Sequence, residues 1–207
     1  MNITIFSVNN SVNAESEATY NEKQLIVGKV RLSDNFVSAP SSHRLIVSHD
    51  AVREIYDFIE WDVGQRDDVR VEQGGVLLGK RCYDPEKDIH FAVVTKVITA
   101  DDAIGSSGHL DITHECWKKI HDMKDIYNEK SVENAIILGW FHTHPNMLSC
   151  FMSGTDRNTQ NLFFNGDNTY SIVINPQRHL LKAFRSKECY ATQAILILSS
   201  QAKMGEE

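Results

Sequence analysis

Two histidines and an aspartate, separated by one loop, have the residue types and spacing that suit metal chemistry. His142 and His144 are two positions apart, and on an extended strand such side chains point to the same side. Zinc binds neutral imidazole nitrogen at about 2.0–2.1 Å, so the pair offers half of a zinc site. Asp156, in the first turn of a predicted helix, is placed to supply a third ligand. A catalytic zinc site also keeps one position open for water.

Each of these features also has an ordinary structural interpretation. A His-x-His pair at a strand end is often no more than two polar surface residues, and short motifs alone are weak indicators. Ser153-Gly154-Thr155-Asp156 has the form of a helix N-terminus, with Ser153 as the cap and Asp156 favoured by the helix dipole. The two features lie on opposite sides of a single loop, and that combination favours a metal site.

Together these motifs resemble the signature of the JAMM metalloproteases, also called MPN-domain metalloenzymes. The signature contains His142-Thr143-His144-Pro145 and Ser153-Gly154-Thr155-Asp156, and it adds a glutamate that precedes two glycines far upstream. That glutamate is Glu72, in Val71-Glu72-Gln73-Gly74-Gly75. The resemblance extends from His43 to Arg185 and takes in 150–152, 158–160 and 173–176.

The resemblance implies a role for each of five residues. His142, His144 and Asp156 would bind one zinc ion, with water as the fourth ligand. Glu72 would accept the proton of that water and later deliver it to the leaving amine, and Ser153 would help to hold the developing oxyanion. The chemistry is sound, because zinc lowers the pKa of its water from 15.7 to about 7 and a nearby carboxylate is then a competent base.

One departure from the family pattern lies between the ligands. Eight residues separate His144 from Ser153, whereas the family usually has seven. The extra residue falls within 146–149, and we expect this loop to bulge outward without moving the ligands.

The resemblance also implies a function and a class of partner. It indicates a zinc-dependent, deubiquitinase-like isopeptidase that hydrolyses the bond after the C-terminal tail of ubiquitin or a ubiquitin-like modifier, in a conjugate or a precursor. The resemblance favours a prokaryotic member. In bacteria the same family occurs beside ubiquitin-like conjugation genes in anti-phage defence and in the processing of sulfur-carrier proteins, and both roles stay open. Two alternatives stay open, a catalytically silent MPN scaffold and a zinc hydrolase of small amides or cell-wall peptides. The complete residue set speaks against a scaffold.

Composition excludes several other classes of protein. The 207 residues carry a net charge of −7, which argues against nucleic acid or an anionic membrane as the main partner. No apolar run approaches the roughly 20 residues of a membrane span, and no secretory signal is visible, so we expect a soluble, cytoplasmic protein. The cysteines form no Cys-x-x-Cys pair, which excludes a zinc ribbon and predicts reduced, partly buried thiols. They are Cys82, Cys116, Cys150 and Cys189.

The elements that must position the site predict an α/β fold (α+β mixed). We expect a central mixed β-sheet flanked by helices, similar to MPN domains and cytidine deaminases. Residues 1–42 would form an extension with a short strand at 24–32, 43–198 the catalytic domain, and 199–207 a polar tail. The predicted strands are 44–48, 69–79, 89–98, 135–141, 170–174 and 180–184, with a strand or short helix at 191–198. One predicted helix begins after Ser48, and two others cover 113–127 and 153–164.

The stretch 100–109 is predicted to be a loop. Gly105-Ser106-Ser107-Gly108 gives it little structure of its own, so we expect it to be mobile and to become ordered when substrate binds. Three histidines nearby have no acidic partner at a metal-ligand spacing and are interpreted as structural or exposed. They are His109, His114 and His121.

Overall fold

The computed structural model describes residues 18–19, 43–61, 70–84, 89–131 and 134–196. Within these ranges the helices are α1 (His49–Phe58), α2 (His114–Lys130) and α3 (Gly154–Phe163). The described strands are β1 (Ala18–Thr19), β2 (His43–Val47), β3 (Gly74–Asp84), β4 (Ile89–Thr99), β5 (Ile104–Ser106), β6 (His109–Asp111), β7 (Ile136–Thr143), β8 (Tyr170–Asn175), β9 (Leu180–Arg185) and β10 (Tyr190–Leu196).

Eight strands form one mixed sheet in the order β1-β3-β4-β2-β10-β9-β8-β7. An additional antiparallel pairing of β3 with β7 closes the sheet on itself. The pairs β2–β4, β2–β10 and β7–β8 are parallel, while β3–β4, β8–β9 and β9–β10 are antiparallel. The predicted mixed α/β fold with a central mixed sheet is confirmed, and the helix-flanked, deaminase-like arrangement stays a prediction.

The core consists of two buried clusters that share the sheet. Successive side chains of a strand point to opposite faces, so Leu77 belongs to one cluster while Val76 and Leu78 belong to the other. The first cluster contains the buried residues of α1, and the second contains Cys116 and Ile120 of α2. β7 contributes to both clusters, which makes it a rigid support for whatever its last residues carry.

Hydroxyl caps fix where the helices begin. Ser48, Thr113 and Ser153 each accept a hydrogen bond from the backbone N–H three residues later, which satisfies a donor that the helix itself leaves free. These starts agree with the predicted helices. The four cysteines are buried and free, as expected of reduced thiols.

Two predicted elements were wrong in position or type. The strand predicted at 69–79 begins at Gly74 and continues to Asp84, because its partner β4 is long enough to pair with all of 80–84. The predicted loop at 100–109 contains a β-hairpin, β5–β6, in which Ile104 pairs with Asp111 and Ser106 with His109.

The first and last described strands lie within segments that the sequence analysis had singled out. The last predicted element, at 191–198, is the strand β10. Within the predicted extension, β1 pairs in parallel with β3 at Cys82 and Tyr83, whereas the strand predicted at 24–32 lies outside the described residues. Among the helices that the structure describes, none combines the length and apolarity needed to cross a membrane.

Candidate metal centre

The end of β7 carries the first two candidate ligands. His142 is paired with Gly74 of β3 and with Val173 of β8, so backbone on both sides fixes its position. The backbone N–H of His144, just beyond the strand, donates to the carbonyl of Ile174 at 2.7 Å. Strand β3 can lie this close because Gly74 has no side chain. A Cβ there would come within 2.4 Å of the Phe141 carbonyl oxygen.

The ligand atoms of three residues converge in a buried position. His142 Nε2 lies 3.2 Å from His144 Nε2 and 3.3 Å from Asp156 Oδ1. His144 Nε2 lies 3.5 Å from Asp156 Oδ2. All three residues are buried, and they form the one group in the described part of the chain that could hold a metal ion.

The spacing of these atoms fits a tetrahedral ion. Two ligands bound at about 2.1 Å to one tetrahedral centre lie about 3.4 Å apart, close to the distances from His142 Nε2 to His144 Nε2 and to Asp156 Oδ1, which are 3.2 and 3.3 Å. Two imidazoles and one carboxylate are also a donor set that zinc accepts. His142, His144 and Asp156 therefore fit a zinc ion in both geometry and chemistry.

Asp156 is held by the helix start that its sequence suggested. Ser153 Oγ accepts from the Asp156 N–H at 3.2 Å, and Asp156 Oδ2 accepts from the Ser153 N–H at 2.7 Å. This reciprocal capping box fixes the carboxylate. The two interpretations of Ser153-Gly154-Thr155-Asp156 are thus compatible, because the cap leaves Asp156 Oδ1 facing His142.

The two histidine rings are oriented in different ways. His144 Nδ1 lies 2.8 Å from the carbonyl oxygen of Ser149, a contact that directs Nε2 toward the other ligands. The His142 ring stacks on Trp140, with centroids 4.3 Å apart, and Trp140 Nε1 donates to Gln160 Oε1 at 2.7 Å. These supporting residues escaped the sequence analysis, although the position of Gln160 one helical turn after Asp156 was a usable signal.

Burial and hydrogen bonding set the charge states of the ligands. Burial lowers the pKa of His142, which keeps the ring in the neutral form that binds metals. Burial alone would raise the pKa of Asp156, but hydrogen bonds from His142 and His144 outweigh it and hold the pKa well below its usual range. Burial alone would lower the pKa of His144 too, but hydrogen bonds to Asp156 and Ser149 outweigh it and raise that pKa. The site therefore presents the neutral imidazole of His142 and the ionised carboxylate of Asp156 to a cation.

Glu72 lies beside the ligands, on the irregular segment that precedes β3. Its side chain is 4% exposed, and within the described residues Oε2 has no hydrogen-bond partner. Burial raises the pKa of Glu72 to about 7, with His144 and Asp156 as its charged neighbours. A buried carboxylate oxygen without a partner is costly in a purely structural role, so this atom is best explained by a ligand or a reacting group.

Hairpin β5–β6 supports Glu72 from the other side. The Glu72 N–H donates to the Ser106 carbonyl at 2.7 Å. A Cβ on Gly105 would lie 2.2 Å from the Glu72 carbonyl oxygen, so only glycine allows this approach. Leu110 is the buried residue of the hairpin, and its side chain lies against Gly74. The stretch predicted to be a loop is thus part of the site's framework.

The extra residue between the ligands is accommodated at the surface. Asn146 adopts a left-handed backbone with φ of 62°, and Met147, the next residue, is 78% exposed. Beyond this turn, Phe151 packs edge-on against His144, with centroids 5.1 Å apart. The ligands converge although this loop is longer than the family pattern.

Residues 40–167 match the family described as JAB1/Mov34/MPN/PAD-1 ubiquitin protease. The matched stretch covers more than half of the 207 residues and includes all three candidate ligands, Glu72 and Ser153. No curated protein matches the chain significantly.

Proposed function

The chain belongs to the JAB1/Mov34/MPN/PAD-1 ubiquitin protease family, and from this premise we propose that it is a zinc-dependent isopeptidase. Its substrate would be ubiquitin or a ubiquitin-like modifier, cleaved after the C-terminal tail from a conjugate or a precursor. The observation that carries the proposal is the convergence of His142, His144 and Asp156 into one buried group that could hold a metal ion, with the buried Glu72 carboxylate beside them.

When bound, a zinc ion supplies Lewis acidity toward both a water molecule and the scissile carbonyl. Glu72 then takes the proton of the attacking water at Oε2 and returns it to the departing amine. A cation nearby favours the charged form of a carboxyl group, so the raised pKa of Glu72 would fall and leave the base ionised at neutral pH. A pKa near the working pH is the most effective for such proton transfer.

Ser153 is proposed to stabilise the oxyanion. Its Oγ already accepts from the Asp156 N–H, which leaves the hydroxyl hydrogen free to donate to the substrate oxygen. Loss of such a donor typically costs about 10²–10³-fold in rate. Ser153→Thr, which keeps the hydroxyl, should retain far more activity than Ser153→Ala, and equal rates for the two variants would contradict this role.

A protein substrate is supported by the surface around the site. Four apolar residues next to the catalytic segments in sequence are exposed by 36% or more: Val71, Met147, Leu148 and Phe151. Exposed apolar groups near a site indicate contact with another macromolecule. On the other side of Glu72, the short strands of hairpin β5–β6 provide a sheet edge beside which an extended tail can add as a further strand.

The experiment combines metal analysis with two substrates. Protein purified without chelators is analysed for zinc and then given ubiquitin linked through its tail to a lysine of a reporter peptide. The second substrate carries only the tail sequence, linked in the same way. We expect bound zinc and much faster cleavage of the ubiquitin conjugate, because the globular part adds contacts that the tail lacks.

Each alternative has its own result. Comparable cleavage of both substrates would favour a hydrolase of small peptides. Bound zinc without cleavage of either would leave the metal site intact but contradict the isopeptidase. No zinc in the fresh protein would overturn the metal assignment and favour a scaffold.

A further inference from the structure

Asn175, the last residue of β8, makes more polar contacts than a strand end requires. It is fully buried. Its amide Nδ2 donates to two carbonyls of the loop between the ligands, that of Asn146 at 2.9 Å and that of Leu148 at 2.7 Å. Its Oδ1 accepts from the Arg178 N–H at 2.8 Å. Both the nitrogen and the oxygen of this side-chain amide therefore have hydrogen-bond partners.

The loop that Asn175 holds leads back to a candidate ligand. Ile174, the preceding residue of β8, accepts the His144 N–H and so fixes the start of the loop. After the two carbonyls bound by Asn175, the chain turns and places the Ser149 carbonyl 2.8 Å from His144 Nδ1. Since a carbonyl can only accept, Nδ1 must carry the hydrogen, and in the neutral ring, the form that binds a metal, Nε2 is left with its lone pair toward His142 and Asp156.

We propose that Asn175 is a positioning residue for His144. By holding the carbonyls of Asn146 and Leu148, it sets the loop so that Ser149 selects the ring tautomer and orientation that bind a metal. Partners one step removed from a metal commonly determine affinity in this way. This inference rests only on the metal-binding part of the proposed function and is independent of the substrate.

A primary amide satisfies all the partners at this place at once. It offers two N–H groups to the two loop carbonyls and one oxygen to the Arg178 N–H. Aspartate has nearly the same shape, but it would set a buried carboxylate oxygen against two carbonyl oxygens. Those two carbonyls would lose their donor, so the loop would shift away from β8.

The test compares Asn175→Asp with the parent protein. Asn165→Asp is a matched control that makes the same charge change at an exposed position. Zinc affinity is measured by competition with a chromophoric chelator, and the His144 Nδ1–H is followed by ¹H–¹⁵N NMR of the imidazole region. Outer partners of metal ligands are typically worth 10–100-fold in affinity, and we expect Asn175→Asp to lose about tenfold or more. Its Nδ1–H signal should also broaden or disappear, while the control matches the parent.

Asn175→Ala removes both donors without adding charge, and it carries the same expectation if Asn175→Asp does not fold. Zinc affinity within twofold of the parent in a folded variant, with an unchanged Nδ1–H signal, would overturn the proposal. Failure of both variants to fold would make Asn175 a stability element and would equally overturn it. Absence of zinc from the parent itself would instead count against the proposed function, so the two failures are distinguishable.

Discussion

His142 and Asp156 lie on core elements and His144 directly follows one, whereas Glu72 lies on an irregular segment next to a surface hairpin. We call the three ligands the ligand side, and Glu72 with β5–β6 the base side. On the ligand side, β7 is paired on both edges and α3 begins at a complete capping box. On the base side, one hydrogen bond from the Glu72 N–H to Ser106 connects the segment to a hairpin that is mostly exposed.

This difference separates metal binding from proton transfer. Metal affinity depends on atoms fixed by the core, while the placement of the base depends both on a short hairpin anchored by Leu110 and on two hydrogen bonds between Gln73 and Thr143. Local stability is lowest where few buried apolar contacts hold an element. We therefore expect changes on the base side to alter turnover while the metal is retained, and changes on the ligand side to remove both.

The largest effect should follow from His142→Ala on the ligand side. Loss of one of three ligands leaves too few protein donors for a zinc site, so zinc content and turnover should both fall to background. Because the ring is fully buried and stacked on Trp140, the melting temperature should also drop, with cooperative unfolding retained. Elemental analysis and calorimetry measure these changes. The exposed His121 provides the control His121→Ala. Equal zinc content in the two variants would contradict the assignment of His142 as a ligand.

Glu72→Gln should produce the next largest effect, on the base side. The amide has the shape of the carboxylate but cannot accept the proton, and such general acid–base roles are typically worth 10²–10⁴-fold in rate. Zinc content, folding and substrate binding should stay at the parent's level. Measuring turnover and zinc in the same preparation tests the separation. A near-parental rate would show that the base lies elsewhere, and loss of zinc would place Glu72 among the ligands.

Gly105→Ala should have the smallest of the three effects and sharpens the comparison. The new Cβ would lie 2.2 Å from the Glu72 carbonyl, so the hairpin must move away and the Ser106 contact must weaken. Misplacement of a reacting group by about 1 Å can cost up to about 10²-fold in rate, with zinc content unchanged. Gly108→Ala is the matched control, because a Cβ there meets nothing within 4 Å. Equal turnover of the two variants would mean that the hairpin does not position Glu72.

Local sequence patterns were sufficient for most elements and for the ligands themselves. Period-two and period-3.6 patterns predict strands and helices because they reflect which face of each element is buried. The hydroxyl caps at Ser48, Thr113 and Ser153 indicated where helices begin. His142 and His144 are on one short extended segment, so their spacing alone indicated that both could face one ion.

Contacts between segments far apart in the chain could not be predicted in this way. The hairpin at 104–111 looked like a loop because its glycines and serines have low strand propensity, yet the approach of Gly105 to Glu72 requires such small residues. The start of β3 at Gly74 likewise depends on hydrogen bonds that Glu72 and Gln73 make with distant residues. Propensity describes a residue's neighbours along the chain and carries no information about these partners.

The sequence by itself determined which groups could do chemistry, the two imidazoles, the two carboxylates and the hydroxyl, because residue type and local spacing are enough to recognise a ligand set. Only the tertiary structure decided that the ligand side chains converge, that Glu72 is buried with no partner for Oε2 among the described residues, and that Asn175 holds the loop beside His144. The physical reason is that closing the sheet between β3 and β7 brings together segments that no local pattern connects.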